Sequence, residues 1–91
     1  ELAEKIILYS AHRENIIEIQ PGLSDIDEAN TLIHEILHGC VYISSLNTDG
    51  QPLSSDNDEE VVVNSLSNYL IQVFRDNKWL LSYLNKKILD K

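Results

Sequence analysis

Residues 24–40, SDIDEANTLIHEILHGC, decide how this chain folds. Ile26, Ala29, Ile33, Ile36, Leu37 and Cys40 recur at steps of three and four. That spacing predicts a helix of roughly 18 residues with one buried face. Ser24 with Asp27 three residues later approximates a capping box at its start, the Asp being shorter than the usual Glu. Within the helix lies His34-Glu35-Ile36-Leu37-His38, an HExxH motif. Four residues is just over one helical turn, so His34 and His38 project from one face and can share a metal ion. Glu35 lies about 100° further round, close enough to reach a water at that ion without being a ligand. The geometry is that of a zinc peptidase, in which imidazoles hold the ion, the ion acidifies a water and the carboxylate takes its proton.

Upstream, residues 6–10 (IILYS) and 16–19 (IIEI) are short, apolar and β-branched, with the polar stretch Ala11–Asn15 between them. They read as two strands of an antiparallel hairpin or small sheet, the second terminated by Pro21-Gly22. Downstream, residues 43–57 are rich in Ser, Asn, Asp, Gly and Pro and read as a loop. A second helix is expected from around Asp58, with Val63, Leu66, Leu70, Val73 and Phe74 in step, until Asp76-Asn77 breaks it near Arg75. Trp79, Leu80, Tyr83, Leu84, Ile88 and Leu89 outline a third, amphipathic helix closed by lysines that suit a helix C-terminus. The expected class is therefore α+β: a short antiparallel sheet or hairpin followed by three helices, with the metal site between the first two helices. Residues 1–91 form a single domain in this reading, and opening on Glu1 rather than Met leaves room for a longer parent chain.

The composition narrows the function classes. One cysteine, Cys40, rules out an internal disulfide framework and the multi-cysteine zinc sites, so a metal here must be held by His and carboxylate. The single thiol suits a reducing, cytoplasmic interior, and no secretory signal is visible. No apolar run has the length of a membrane span. Fifteen acids against seven bases, a net charge of −8, argue against nucleic acid or anionic lipid as partners. The acids gather at Asp25–Glu28 and Asp56–Glu60, each at an expected helix start where negative charge suits the dipole.

A catalytic zinc takes three protein ligands and keeps one position for water. The second helix offers Glu59 and Glu60 on its first turn. If the two helices pack antiparallel, Glu60 faces His34 and His38, with Asn64 on its own helix face and Val63 and Leu66 turned into the core. Glu59 points about 100° away, towards solvent. Glu60 is favoured, with Glu59 as the alternative. No third histidine follows His38, and Gly39 comes at once, so the HExxHxxGxxH metzincin pattern is absent.

Over roughly residues 6–75 the chain resembles the ImmA/IrrE group of metallopeptidases and related small phage-encoded peptidase-like domains. Those carry a short sheet, an HExxH helix and a helix with the pattern E-x-x-A-N-x-F-A. Here His34-Glu35-Ile36-Leu37-His38 supplies the first element, and Glu60, Val63, Asn64, Leu66 and Ser67 match the second, with Val for Ala, Leu for Phe and Ser for Ala. The resemblance implies zinc held by His34, His38 and Glu60, Glu35 as general base, a phage or prophage setting and a protein or peptide substrate. It does not extend to a DNA-reading part, which longer members of the group often carry.

Other residues have plainer readings. His12 falls in the expected hairpin turn and is expected to be exposed. Tyr42 and Tyr69 are candidate oxyanion donors, with packing as their ordinary role. Cys40 reads as a small hydrophobe on the buried helix face. Trp79, Tyr83 and Leu84 are expected to cover the core, and an exposed version of that stripe would instead mark a partner site. Two rival functions stand beside the peptidase: a catalytically inactive zinc-binding interaction module, and an acidic adaptor with no metal at all.

Overall fold

The computed structural model describes residues 4–10, 13–19 and 24–89. Three helices carry the architecture: α1 (Asp25–Ile43), α2 (Asp56–Asp76) and α3 (Leu80–Leu89). The Ser24 hydroxyl caps α1 by accepting from the Asp27 N–H at 3.3 Å and donates back to the Asp27 carboxylate at 2.8 Å. That arrangement differs from a full capping box, because the short Asp arm meets the hydroxyl and not the cap's backbone N–H. Ser55 caps α2 in the same way, accepting from the Asp58 N–H at 3.0 Å, so this helix starts two residues earlier than the sequence suggests. The acidic clusters fall in the first turns, Asp25, Asp27 and Glu28 on α1 and Asp56, Asp58 and Glu59 on α2. Among the described residues no helix is long and apolar enough to cross a membrane.

The α+β expectation is corrected. Over residues 24–89 there is no strand, sheet or hairpin, and the buried side chains belong to α1 and α2. The backbone of β1 (Glu4–Ser10) and β2 (Arg13–Ile19) runs as a two-stranded antiparallel ladder with Ile6 opposite Ile17 and Ile7 opposite Ile16. Two strands alone are marginal and do not make a layer of a core, and Ile16 is exposed. Pro21-Gly22 and His12, read above as a strand terminator and a turn residue, lie outside the described residues.

Helices α1 and α2 pack antiparallel. Asn30 on α1 donates to Asn68 on α2 at 3.0 Å, and His38 on α1 meets Glu59 on α2 at 2.6 Å. Eight residues along one helix thus match nine along the other, about 12 and 13.5 Å at 1.5 Å per residue. Val41 from α1 and Val63 from α2 are the buried hydrophobics among the described residues, with Val63 only 1 % exposed. Ser67, at 2 % exposure, lies one turn along α2 from Val63, and its small side chain admits α1 while its hydroxyl donates to the Asn64 carbonyl at 3.2 Å. The inward face of α2 is therefore Val63 and Ser67, an i, i+4 pair, and the expected Leu66 is exposed. On α1 the buried position is Val41 and not its neighbour Cys40, which is exposed.

The connection from α1 to α2 is a hydrogen-bonded chain of turns. The N–H groups of Thr48, Gln51 and Ser54 donate in succession to the carbonyls of Ser45, Thr48 and Gln51, and the Leu53 N–H closes the loop onto the Leu46 carbonyl at 3.0 Å. It begins with a Schellman termination of α1: the Leu46 N–H donates to Val41 and the Ser45 N–H to Tyr42, both at 3.2 Å. Ser45 occupies the left-handed position of that motif, φ 63°, where glycine is usual. Ser45→Gly is expected to raise the unfolding free energy by about 0.5–1 kcal/mol, since relief of the left-handed strain outweighs the added chain entropy. Urea denaturation checks it, and an unchanged or lower midpoint would contradict the assignment of strain to Ser45.

Asn77 ends α2, its backbone and side-chain N–H groups both donating to the Val73 carbonyl at 3.0 and 2.9 Å. Helix α3 meets the α1–α2 pair at an apolar groove of about 420 Å³ lined by Ile26, Ala29 and Ile33 of α1, Ile71 and Phe74 of α2 and Leu81 of α3. Trp79, just before α3, and Tyr83 and Leu84 within it are exposed and do not cover the core as expected. Trp79 and Tyr83 instead stack edge to face at 5.6 Å, with the Lys87 ammonium 5.5 Å from the Tyr83 ring centre.

Candidate metal centre

The HExxH turn of α1 faces the first turn of α2. His34 and His38, one turn apart, are both half-buried, with ring centroids 4.7 Å apart. Their Nε2 atoms approach to 3.1 Å. Glu60 reaches across from α2, one carboxylate oxygen 3.0 Å from His34 Nε2 and the other 3.3 Å from His38 Nε2. Two imidazole nitrogens and a carboxylate thus converge on one point, and this group of His34, His38 and Glu60 can hold a metal ion.

The donor spacing fits an ion. Four ligands arranged tetrahedrally at about 2.0–2.1 Å from zinc lie about 3.3–3.4 Å from one another. The two imidazole nitrogens, 3.1 Å apart, come close to that edge, and each meets a different oxygen of Glu60, at 3.0 and 3.3 Å, so one donor atom from each residue lies within 4.8 Å of the others. Glu60 remains half exposed, at 50 %, so the cluster is open on its solvent side. A site with three protein donors and an open side can admit a water or a substrate oxygen.

Glu59 is placed differently from the sequence expectation. It is not turned to solvent: its side chain is only 15 % exposed, and its carboxylate meets His38 Nδ1 at 2.6 Å. The cause is helix geometry. Residues 59, 63 and 67 lie one turn apart on the same face of α2, and Val63 and Ser67 are its most buried positions. Glu59 continues that inward face to the helix start, while Glu60, about 100° round, sits at the rim and reaches both histidines. Stepping back four residues from Val63, and not from Asn64, was the signal in the sequence that could have located it.

The remaining candidates stay apart from this cluster in character. Glu35 is exposed on α1. Asn64 is exposed, and its carbonyl serves Ser67. Tyr42 and Tyr69 are both on the surface, which excludes core packing for them. The site therefore belongs to an antiparallel helix pair with two histidines on one helix and two glutamates on the other. No family description, no curated protein and no solved structure matches the chain.

Proposed function

We propose that this chain is a zinc-dependent peptidase-like domain that hydrolyses peptide bonds of a protein substrate, with His34, His38 and Glu60 as ligands and Glu35 as general base. The observation that carries the proposal is the convergence of three ligand atoms from two helices, all within 4.8 Å of one another. Imidazole and carboxylate donors suit zinc, and two histidines with one glutamate is a donor set of hydrolytic zinc sites. Bound there, zinc supplies Lewis acidity, lowering the pKa of a water to about 7. Glu35 follows His34 directly in the sequence and is exposed. It takes the proton from the attacking water and delivers it to the departing amine. The succession of an HExxH helix and a glutamate-bearing helix, similar to the ImmA/IrrE group, supports the same reading and brings with it a phage or prophage setting and a protein or peptide substrate.

A second reading keeps the zinc and drops the chemistry. It is supported by the apolar surface of α3 and the residue before it, where Trp79, Leu81, Ile88 and Leu89 all stand exposed, as an interaction module would need. Metal analysis by mass spectrometry on protein purified without chelator, followed by incubation with a panel of unfolded proteins, separates the two. About one zinc per chain and chelator-sensitive cleavage is the expected result. Zinc without cleavage would favour the interaction module, and no zinc even after reconstitution would remove both in favour of a metal-free acidic adaptor.

A further inference from the structure

We infer that Glu59 is the positioning residue of this site: it holds His38 in the tautomer that carries its proton on Nδ1, so that the lone pair on Nε2 is aimed at the metal. The inference rests on the metal reading above and concerns a residue to which that reading gives no part. An ionised carboxylate only accepts hydrogen bonds, so the 2.6 Å contact requires His38 Nδ1 to donate to Glu59. A neutral imidazole with its proton on Nδ1 presents a lone pair at Nε2, 3.1 Å from His34 Nε2 and 3.3 Å from a Glu60 oxygen that is also an acceptor, a pair that a cation between them would satisfy and a hydrogen bond would not. His34 shows the opposite state. Its Nε2 lies 3.0 Å from a Glu60 oxygen, which only accepts, and 3.1 Å from the His38 Nε2 acceptor, so this nitrogen carries the proton of His34.

The two histidines are therefore not equivalent. His38 is preset for coordination by a carboxylate anchored on the buried face of α2, whereas His34 must give up its Nε2 proton and its bond to Glu60 when an ion enters. Outer carboxylates that receive the second N–H of a ligating histidine fix ring orientation and raise its basicity, and losing one costs 10–100-fold in metal affinity. Glu59 has the burial that this role needs and Glu60 does not: 15 % against 50 % exposure.

The test is long-range proton–nitrogen correlation NMR of the imidazoles of the full chain, zinc-free and then titrated with zinc chloride, with zinc affinity measured by chelator competition. His38 is expected to carry its proton on Nδ1 before and after zinc, and His34 to move from Nε2–H to Nδ1–H as zinc binds. Glu59→Ala is expected to weaken zinc about 10–100-fold, and Glu59→Gln, whose amide oxygen can still accept from Nδ1–H, to recover most of that loss. Zinc binding by a wild-type protein whose His38 carries its proton on Nε2 would overturn the inference and leave the metal reading intact. The same holds for a folded Glu59→Ala that binds zinc as wild type does. A wild-type chain that takes up no zinc would overturn both, and the wild-type tautomer stays readable even where Glu59→Ala fails to fold.

Discussion

His38→Ala is expected to lower zinc affinity by more than about 100-fold and to destabilise the metal-free protein as well. His38 touches His34, Glu60 and Glu59. Its Nε2 faces both His34 and Glu60, and its Nδ1 is held by Glu59. Removing it takes away a ligand and leaves the Glu59 carboxylate without its 2.6 Å partner in a mostly covered position. The second loss acts on the metal-free protein as well, where it should lower the unfolding free energy by about 1–3 kcal/mol. Chelator competition reads the first effect and urea denaturation in EDTA reads the second. His34→Ala is the control: it should lose zinc comparably with a smaller cost in EDTA, because its partner Glu60 is half exposed and can turn to water. Equal zinc binding by His38→Ala and wild type would remove His38 from the ligand set.

Glu35→Gln is expected to lower the rate of peptide hydrolysis by about 10²–10⁴-fold while leaving zinc content and stability unchanged. The amide is nearly isosteric with the carboxylate but has no lone pair basic enough to take the proton of the attacking water. Glu35 is exposed and lies on α1 away from the buried Val41, so the substitution removes no packing. Metal analysis, urea midpoints and cleavage rates of wild type and Glu35→Gln should be taken together. A rate that survives the substitution would count against the mechanism even with zinc bound. The pair of variants divides the site cleanly: His38→Ala tests who holds the ion, and Glu35→Gln tests what is done with it.

Among the described residues the buried core lies at the contact of α1 with α2. Val63 and Ser67 are the tightest positions, and the contact they make is what brings the first turn of α2 against the HExxH turn. Metal binding to ligands from both helices would add its free energy to that same contact, so zinc and the α1–α2 packing stabilise one another.

Periodicity and chemistry along a single helix were legible in the sequence. The three-and-four spacing from Ile26 places α1, the Ser24 cap is local, and the pairing of His34 with His38 is a property of one turn, whereas the Ser55 cap, which starts α2 two residues earlier than expected, was not read. Glu60 was also legible, because a carboxylate at the start of the next helix is where an antiparallel partner would present it. What the sequence could not determine was rotation. Cys40 and Val41, or Glu59 and Glu60, differ by about 100° round an axis, and a stripe of mixed apolar residues leaves that angle open. Only packing α2 against α1, with Val63 and Ser67 at the contact, turned Val41 inward, left Cys40 and Leu66 outside, and brought Glu59 under His38. The class of fold was misjudged for a related reason: β-branched runs at residues 6–10 and 16–19 are a local preference, whereas a layer exists only where side chains are buried, and among the described residues the burial lies between two helices.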